Sequence, residues 1–229
     1  MSSYRKIAII FLLVSSIICF ILCVSCNNKK KTAIKIGIVD SYISPELLDS
    51  KNIKNIDFSN SEENIENIHG LLTLQLILDE CKNSEIYYAS ALNEQNVGDI
   101  NSIVSSIEWC ISQDVDIICM SFATVYNNKE LENIISLAIE NEIIIVSSCI
   151  NFSDAECYPA MYENVISVSE GANNDARVIL PNKKFSLNVN KKTIDTKGTS
   201  VLAAYVTGYI SNQLYKGNLD IDKILNEIN

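Results

Sequence analysis

Histidine is almost missing from this 229-residue chain: His69 stands alone, and proline and glycine are scarce at three and seven. Eight cysteines are present, but none beyond residue 26 has Cys-x-x-Cys spacing. A zinc site needs several such ligands, so one histidine without that spacing argues against it. Positive charge is also short. Eighteen Lys and Arg face 28 Asp and Glu, a formal net charge of -10. That balance argues against a nucleic-acid partner, because phosphate binding needs clustered cations. There is no internal repeat. What the length does allow is one ordinary domain with a real core.

Long apolar runs are absent too, with one exception. Residues 7–25, "IAIIFLLVSSIICFILCVS", follow Arg5 and Lys6 and precede Cys26 and "NNKKK". A basic start and an apolar stretch read as an export signal, so residues 1–25 are set apart from the fold. The ending "LCVSC" resembles a bacterial lipoprotein signal, which implies lipidation at Cys26 and a tether over residues 26–33. The alternative is an uncleaved anchor, since nineteen residues nearly span a bilayer. Either reading puts the chain on a membrane, on the extracytoplasmic side. Beyond Cys26 remain Cys81, Cys110, Cys119, Cys149 and Cys157, an odd number that cannot all pair within the chain. Cys149 and Cys157 flank a loop and could bridge it.

From residue 34 to 229, apolar runs alternate with amphipathic stretches. Strands are expected at "AIKIGIVD" (33–40), "EIYYASAL" (85–92), 115–121, 143–148 and 164–170. Helices are expected at 69–81, 98–113 and 129–142, and from Thr199 onward. Strands that are apolar on both faces and alternate with helices predict a mostly parallel sheet with helices on both sides, a three-layer α/β fold. Residues 171–197 break the pattern and read as one or two antiparallel edge hairpins carrying lysines. In parallel sheets the working residues gather at the carboxyl ends of strands. Asp40, Ser121 and Ser148 to Asn151 fall at such ends.

Three residues in chain order carry a chemistry: Asp40 ends the first strand, His69 begins a helix, and Ser200 lies at the start of the last core helix. A serine hydroxyl needs a neighbouring base to act as a nucleophile, imidazole can supply it near neutral pH, and a carboxylate fixes the imidazole tautomer. Taken singly, each has a plainer role as turn residue, helix start or N-cap. The surrounding motifs link them. "IGIVDS", "HGLLTLQLI", "DIICMSFAT", "IIIVSSCIN…CYPAMYENVISVSE" and "GTSVLAAYVTGYI" occur in order over residues 34–214. In that order they resemble the aspartate strand, histidine helix, substrate strand, oxyanion region and serine helix of the subtilases, the subtilisin-like serine proteases.

The resemblance implies a subtilisin-like fold over residues 34–229 and peptide-bond hydrolysis through an acyl-enzyme. Asp40 would orient the base His69, and Ser200 would be the nucleophile. The backbone of Ser121, Phe122 and Ala123 would pair with an extended peptide or protein substrate. The family's side-chain oxyanion donor is an asparagine. Counting back from Tyr158-Pro159 without gaps places Ile150 there, and a one-residue shift places Asn151, which the need for a polar group favours. No cofactor is expected. Some subtilases bind calcium, but no acidic cluster here marks a site. Glycines usual in the family are replaced at Ala123 and Thr124, and Ala204 and Tyr205 replace a usual proline and histidine. These departures motivate an alternative: a catalytically impaired subtilase-fold lipoprotein that binds peptides or partners. Metabolic labelling with a fatty-acid analogue is expected to mark the wild-type chain and vanish in Cys26→Ala. Label persisting in the variant would exclude Cys26 as the lipidated residue.

Overall fold

A computed structural model describes residues 31–49, 53–61 and 68–229. The expected signal segment 7–25 and Cys26 lie outside the described residues. Residues Ala33–Asn229 make up one compact unit. No helix among the described residues is long and apolar enough to cross a membrane.

Four strands establish the frame: β1 (Ile34–Ser41), β3 (Ser84–Leu92), β4 (Ile117–Met120) and β5 (Ile144–Ser148). Their side chains alternate between two apolar clusters. Ile34, Ile36 and Ile38 of β1, Tyr88 of β3 and Cys119 of β4 enter one cluster. Val39, Tyr87, Ala89, Ile118 and Met120 enter the other. Period-two alternation sends successive side chains to opposite faces. Both faces are apolar because both are covered. With β2 (Lys54–Asp57), β6 (Ile166–Ser169) and β7 (Val178–Ile179), they form a seven-stranded sheet in the order β2-β3-β1-β4-β5-β6-β7. Every pairing in it is parallel.

A short helix, α1 (Pro45–Asp49), follows β1. On one face lie α2 (Ile68–Glu80) and the long helix α5 (Thr199–Tyr215), with α6 (Ile221–Ile228) beyond. On the other lie α3 (Ile100–Ser112) and α4 (Lys129–Glu140). The latter two are ordinary amphipathic helices with side-chain caps. The Asp99 carboxylate accepts from Ser102 N, and the Asn128 carboxamide oxygen accepts from Glu130 N and Leu131 N. Helix α5 differs: it packs against α2, α6 and strands β1, β4, β5 and β6. Contact on so many sides explains why it is apolar around most of its circumference. The architecture is the three-layer α/β fold expected from the pattern. The antiparallel hairpin expected within 171–197 forms as β8 (Phe185–Val189) and β9 (Lys192–Thr196). It makes its own two-stranded sheet beside α2, while β7 adds a parallel edge to the main sheet.

Burial predicts different sensitivities at two positions on one face of the sheet. Ile107 is fully buried between α3 and the sheet, whereas Leu137 on α4 is 43% exposed. Urea unfolding should find Ile107→Ala destabilised by about 2–5 kcal/mol and Leu137→Ala by less than about 1 kcal/mol.

Candidate active site

The carboxyl ends of β1, β4 and β5 meet the starts of α2 and α5. Asp40 lies at the end of β1 with no solvent exposure. There β1 pairs Asp40 with Ser90 of β3 and then Ser41 with Leu92, an irregularity of one residue. A buried carboxylate must be met by donors. Ser41 N donates to Asp40 Oδ1 at 2.6 Å, His69 Nδ1 to the same oxygen at 2.7 Å, and Thr73 Oγ1 to Oδ2 at 2.9 Å. His69 and Thr73 are four residues apart on α2 and so share one face.

The start of α2 is docked on the end of β1 by further contacts. Gly70 N donates to Ser41 Oγ at 3.0 Å, and the buried Tyr88 hydroxyl donates to Ser41 O at 2.6 Å. Burial pushes the Tyr88 phenol well up, so it remains a donor. Glycine after the histidine is required here: a Cβ on Gly70 would lie 2.1 Å from the Tyr88 hydroxyl. The "HG" pair therefore has a packing reason as well as a chemical one.

Ser200 is the second residue of α5. The N-cap is Gly198, with φ 118° and no side-chain cap bond. Glycine is needed for that conformation, and Ser200 is not the cap. Its hydroxyl donates to the Ser121 carbonyl at 2.8 Å, and Ser121 Oγ donates back to Ser200 O at 3.3 Å. A hydroxyl has one proton, and in this conformation it is directed to Ser121.

Asn151 and Ile150 separate clearly. Asn151 Oδ1 accepts from Thr199 N at 2.8 Å and Thr199 Oγ1 at 3.0 Å. A backbone N–H can only donate, so the oxygen of the carboxamide faces Thr199 and the NH2 is the remaining donor. Asn151 thus stands against the residue preceding Ser200. Ile150 turns the other way and packs, as does Ala123, on the buried cluster of Cys149, Cys157, Ala160 and Ala176. Of the substrate-strand residues, Ser121 is buried, and Phe122 and Ala123 are half-buried. Thr124 pairs with Tyr158 through bonds of 2.9 and 2.8 Å. A cleft of about 330 Å³ opens beside Phe122 and Ala123, lined among others by Leu92, Val97, Ile103, Tyr126 and Leu131.

The structure therefore brings Asp40 to His69, Ser200 to Ser121, and Asn151 to Thr199. Sequence reasoning missed Ser41, Thr73, Tyr88 and Thr199. Thr73 carried a signal: it is the one hydroxyl in the apolar run 71–74, at i+4 from His69. Tyr88, inside an apolar strand, carried none. Among the described residues, no three His, Cys, Asp or Glu side chains gather as a metal site.

The family model described as the Subtilase family matches residues 31–218. The chain belongs to the subtilase family. It is 27% identical over 189 residues to the minor extracellular protease Epr of Bacillus subtilis, covering 77% of this chain and 28% of that protein. It is 25% identical over 198 residues to subtilisin DY of Bacillus licheniformis, covering 80% and 70% of the two chains. A major intracellular serine protease of Bacillus subtilis is 28% identical over 136 residues, 43% of its length. The chain thus spans under a third of Epr and under half of the intracellular protease. Among solved structures, the prenylagaramide maturation protease PagA has a TM-score of 0.68 at 17% identity, covering 83% of this chain and 79% of that one. That likeness is one of fold.

The neighbouring Asp40 charge holds the His69 imidazole above its ordinary pKa of 6.5, against the opposing effect of burial. The pair therefore stabilises the folded chain fully below the unfolded pKa, and the contribution fades as pH rises through the folded value. Proton acceptance by the ring has the opposite sense, because only neutral imidazole can take a proton. With one histidine in the chain, proton NMR titration reads this group directly. The midpoint should exceed 6.5 in the wild type and drop in Asp40→Asn; equal midpoints would contradict the assigned cause.

Proposed function

We propose that this subtilase is a serine endopeptidase that cleaves peptide bonds through an acyl-enzyme, with Asp40, His69 and Ser200 as its triad. The observation that carries the reading is the Asp40–His69 pair. A fully buried carboxylate bound at 2.7 Å to Nδ1 fixes the ring and its tautomer. With Nδ1 committed to Asp40, base chemistry falls to Nε2. Rotation of the Ser200 hydroxyl from the Ser121 carbonyl toward His69 would complete the triad. His69 takes the hydroxyl proton as Ser200 attacks the substrate carbonyl, then returns it to the leaving amine. Water then attacks the acyl-enzyme by the same proton route and frees Ser200.

The oxyanion that develops needs fixed donors. The Ser200 N–H at the start of α5, aided by the positive end of the helix dipole, is one. The Asn151 NH2, oriented by Thr199, is the second. An extended peptide adds as a strand along Ser121, Phe122 and Ala123. The adjoining apolar cleft takes one of its side chains. No step calls for a cofactor, because nucleophile, base and oxyanion donors all come from the chain. We place the enzyme on the outer face of a bacterial membrane, tethered through Cys26, on the strength of the segment 7–26.

One observation favours a second reading. The Ser200 proton points to Ser121, as it would in a subtilase-fold protein that binds peptides without cleaving them. A fluorophosphonate probe separates the two. The wild type should label and Ser200→Ala should not. Asn151→Ala should label about 100- to 1,000-fold more slowly, the usual cost of an oxyanion donor. A wild type that folds but does not label would establish the second reading.

A further inference from the structure

Cys149 and Cys157 stand at the two ends of the loop that carries Asn151. Each end is pinned to the sheet region. Cys149 N donates to the Val168 carbonyl at 2.8 Å, and Tyr158, next to Cys157, pairs both ways with Thr124. Between them, Asn151, Phe152 and residues 154–156 are exposed to solvent. The two cysteines, in contrast, are 1% and 0% exposed and pack together with Ala160 and Ala176. Among the described residues, no other cysteine belongs to that cluster. The remaining described cysteines lie in other parts of the core: Cys81 and Cys119 in the cluster under α2 and α5, Cys110 in the one under α3 and α4. Cys149 and Cys157 are thus the two described cysteines that both flank one loop and pack in one small cluster of four buried residues.

We propose that Cys149 and Cys157 form a disulfide that closes residues 149–157 into a ring and holds the Asn151 loop against the start of α5. The neighbouring Cys149 side chain and the Ile150 N–H favour the Cys157 thiolate, against the effect of burial. Cys157 is therefore the attacking sulfur, reached when the exposed loop opens locally. The oxidant is a small disulfide such as glutathione disulfide. The Cys157 thiolate attacks one of its sulfurs and expels one glutathione thiolate, leaving a mixed disulfide. Cys149 loses its proton to solvent, attacks Cys157 Sγ and expels the second glutathione thiolate. Two protein thiols are oxidised to one disulfide, and one external disulfide is reduced to two thiols. The cross-link removes open conformations of the loop. Its catalytic consequence rests on the oxyanion role proposed for Asn151; the bond itself does not.

The test uses the full chain, reduced and then incubated with glutathione disulfide. Remaining thiols are alkylated under denaturing conditions, and peptides are mapped by mass spectrometry. A Cys149–Cys157 link with Cys81, Cys110 and Cys119 alkylated is expected. Alkylation of Cys149 and Cys157 to the same extent as Cys81, or links to other cysteines, would overturn the proposal. Amide exchange over residues 150–156 should slow about tenfold on oxidation of the wild type and stay unchanged in Cys157→Ser. A disulfide that leaves exchange unaltered would overturn its role as a staple. Neither readout depends on catalysis, so failure of Ser200 labelling and failure of this bond are distinguishable.

Discussion

The Asp40 carboxylate has no contact with solvent, and the site is arranged around meeting its charge. Three donors converge on its two oxygens, from the next residue of its own strand and from two positions one helical turn apart on α2. Removing one partner of a buried, hydrogen-bonded charge leaves the other uncompensated. The helix carrying His69 is therefore held to the end of β1 by charge as well as by apolar packing. Gly70 and Tyr88 let it come that close. Imidazole orientation and fold stability are two consequences of the same contact.

The second half of the site depends on backbone conformation rather than charge. The positive φ of Gly198 turns the chain into α5 and lets Thr199 present its N–H and hydroxyl to Asn151. A Cβ at Gly198 would stand 3.1 Å from Asn151 Oδ1. The loop after β5 and the start of the serine helix are thus fitted to each other. Ile150 and Ala123 pack on the cysteine cluster, and Thr124 is paired with Tyr158.

Much of this was legible in the sequence. Strands apolar on both faces gave away a covered parallel sheet, because alternate side chains must each find a core. The near-uniform apolarity of α5 reported a helix surrounded on most sides. Asp40, His69 and Ser200 stood out as candidates through local motifs in a fixed order, and the structure brings the first two together. Other features were hidden. Ile150 and Asn151 are adjacent, and a one-residue shift exchanges them, so no spacing argument could choose which faces α5. Thr73, Ser41 and Tyr88 are common residues in apolar elements, and their partners lie up to 47 positions away.

The order of elements, the two-sided burial of the sheet and the placing of Asp40, Ser121 and Asn151 at strand ends follow from local patterning. Side-chain period and chain order are properties of the sequence itself. The direction in which each polar group turns was decided only by tertiary structure. Whether the Ser200 proton goes to a carbonyl and which end of the Asn151 amide meets Thr199 depend on distances between segments remote in the chain. Those distances are set by how two helices seat on one sheet.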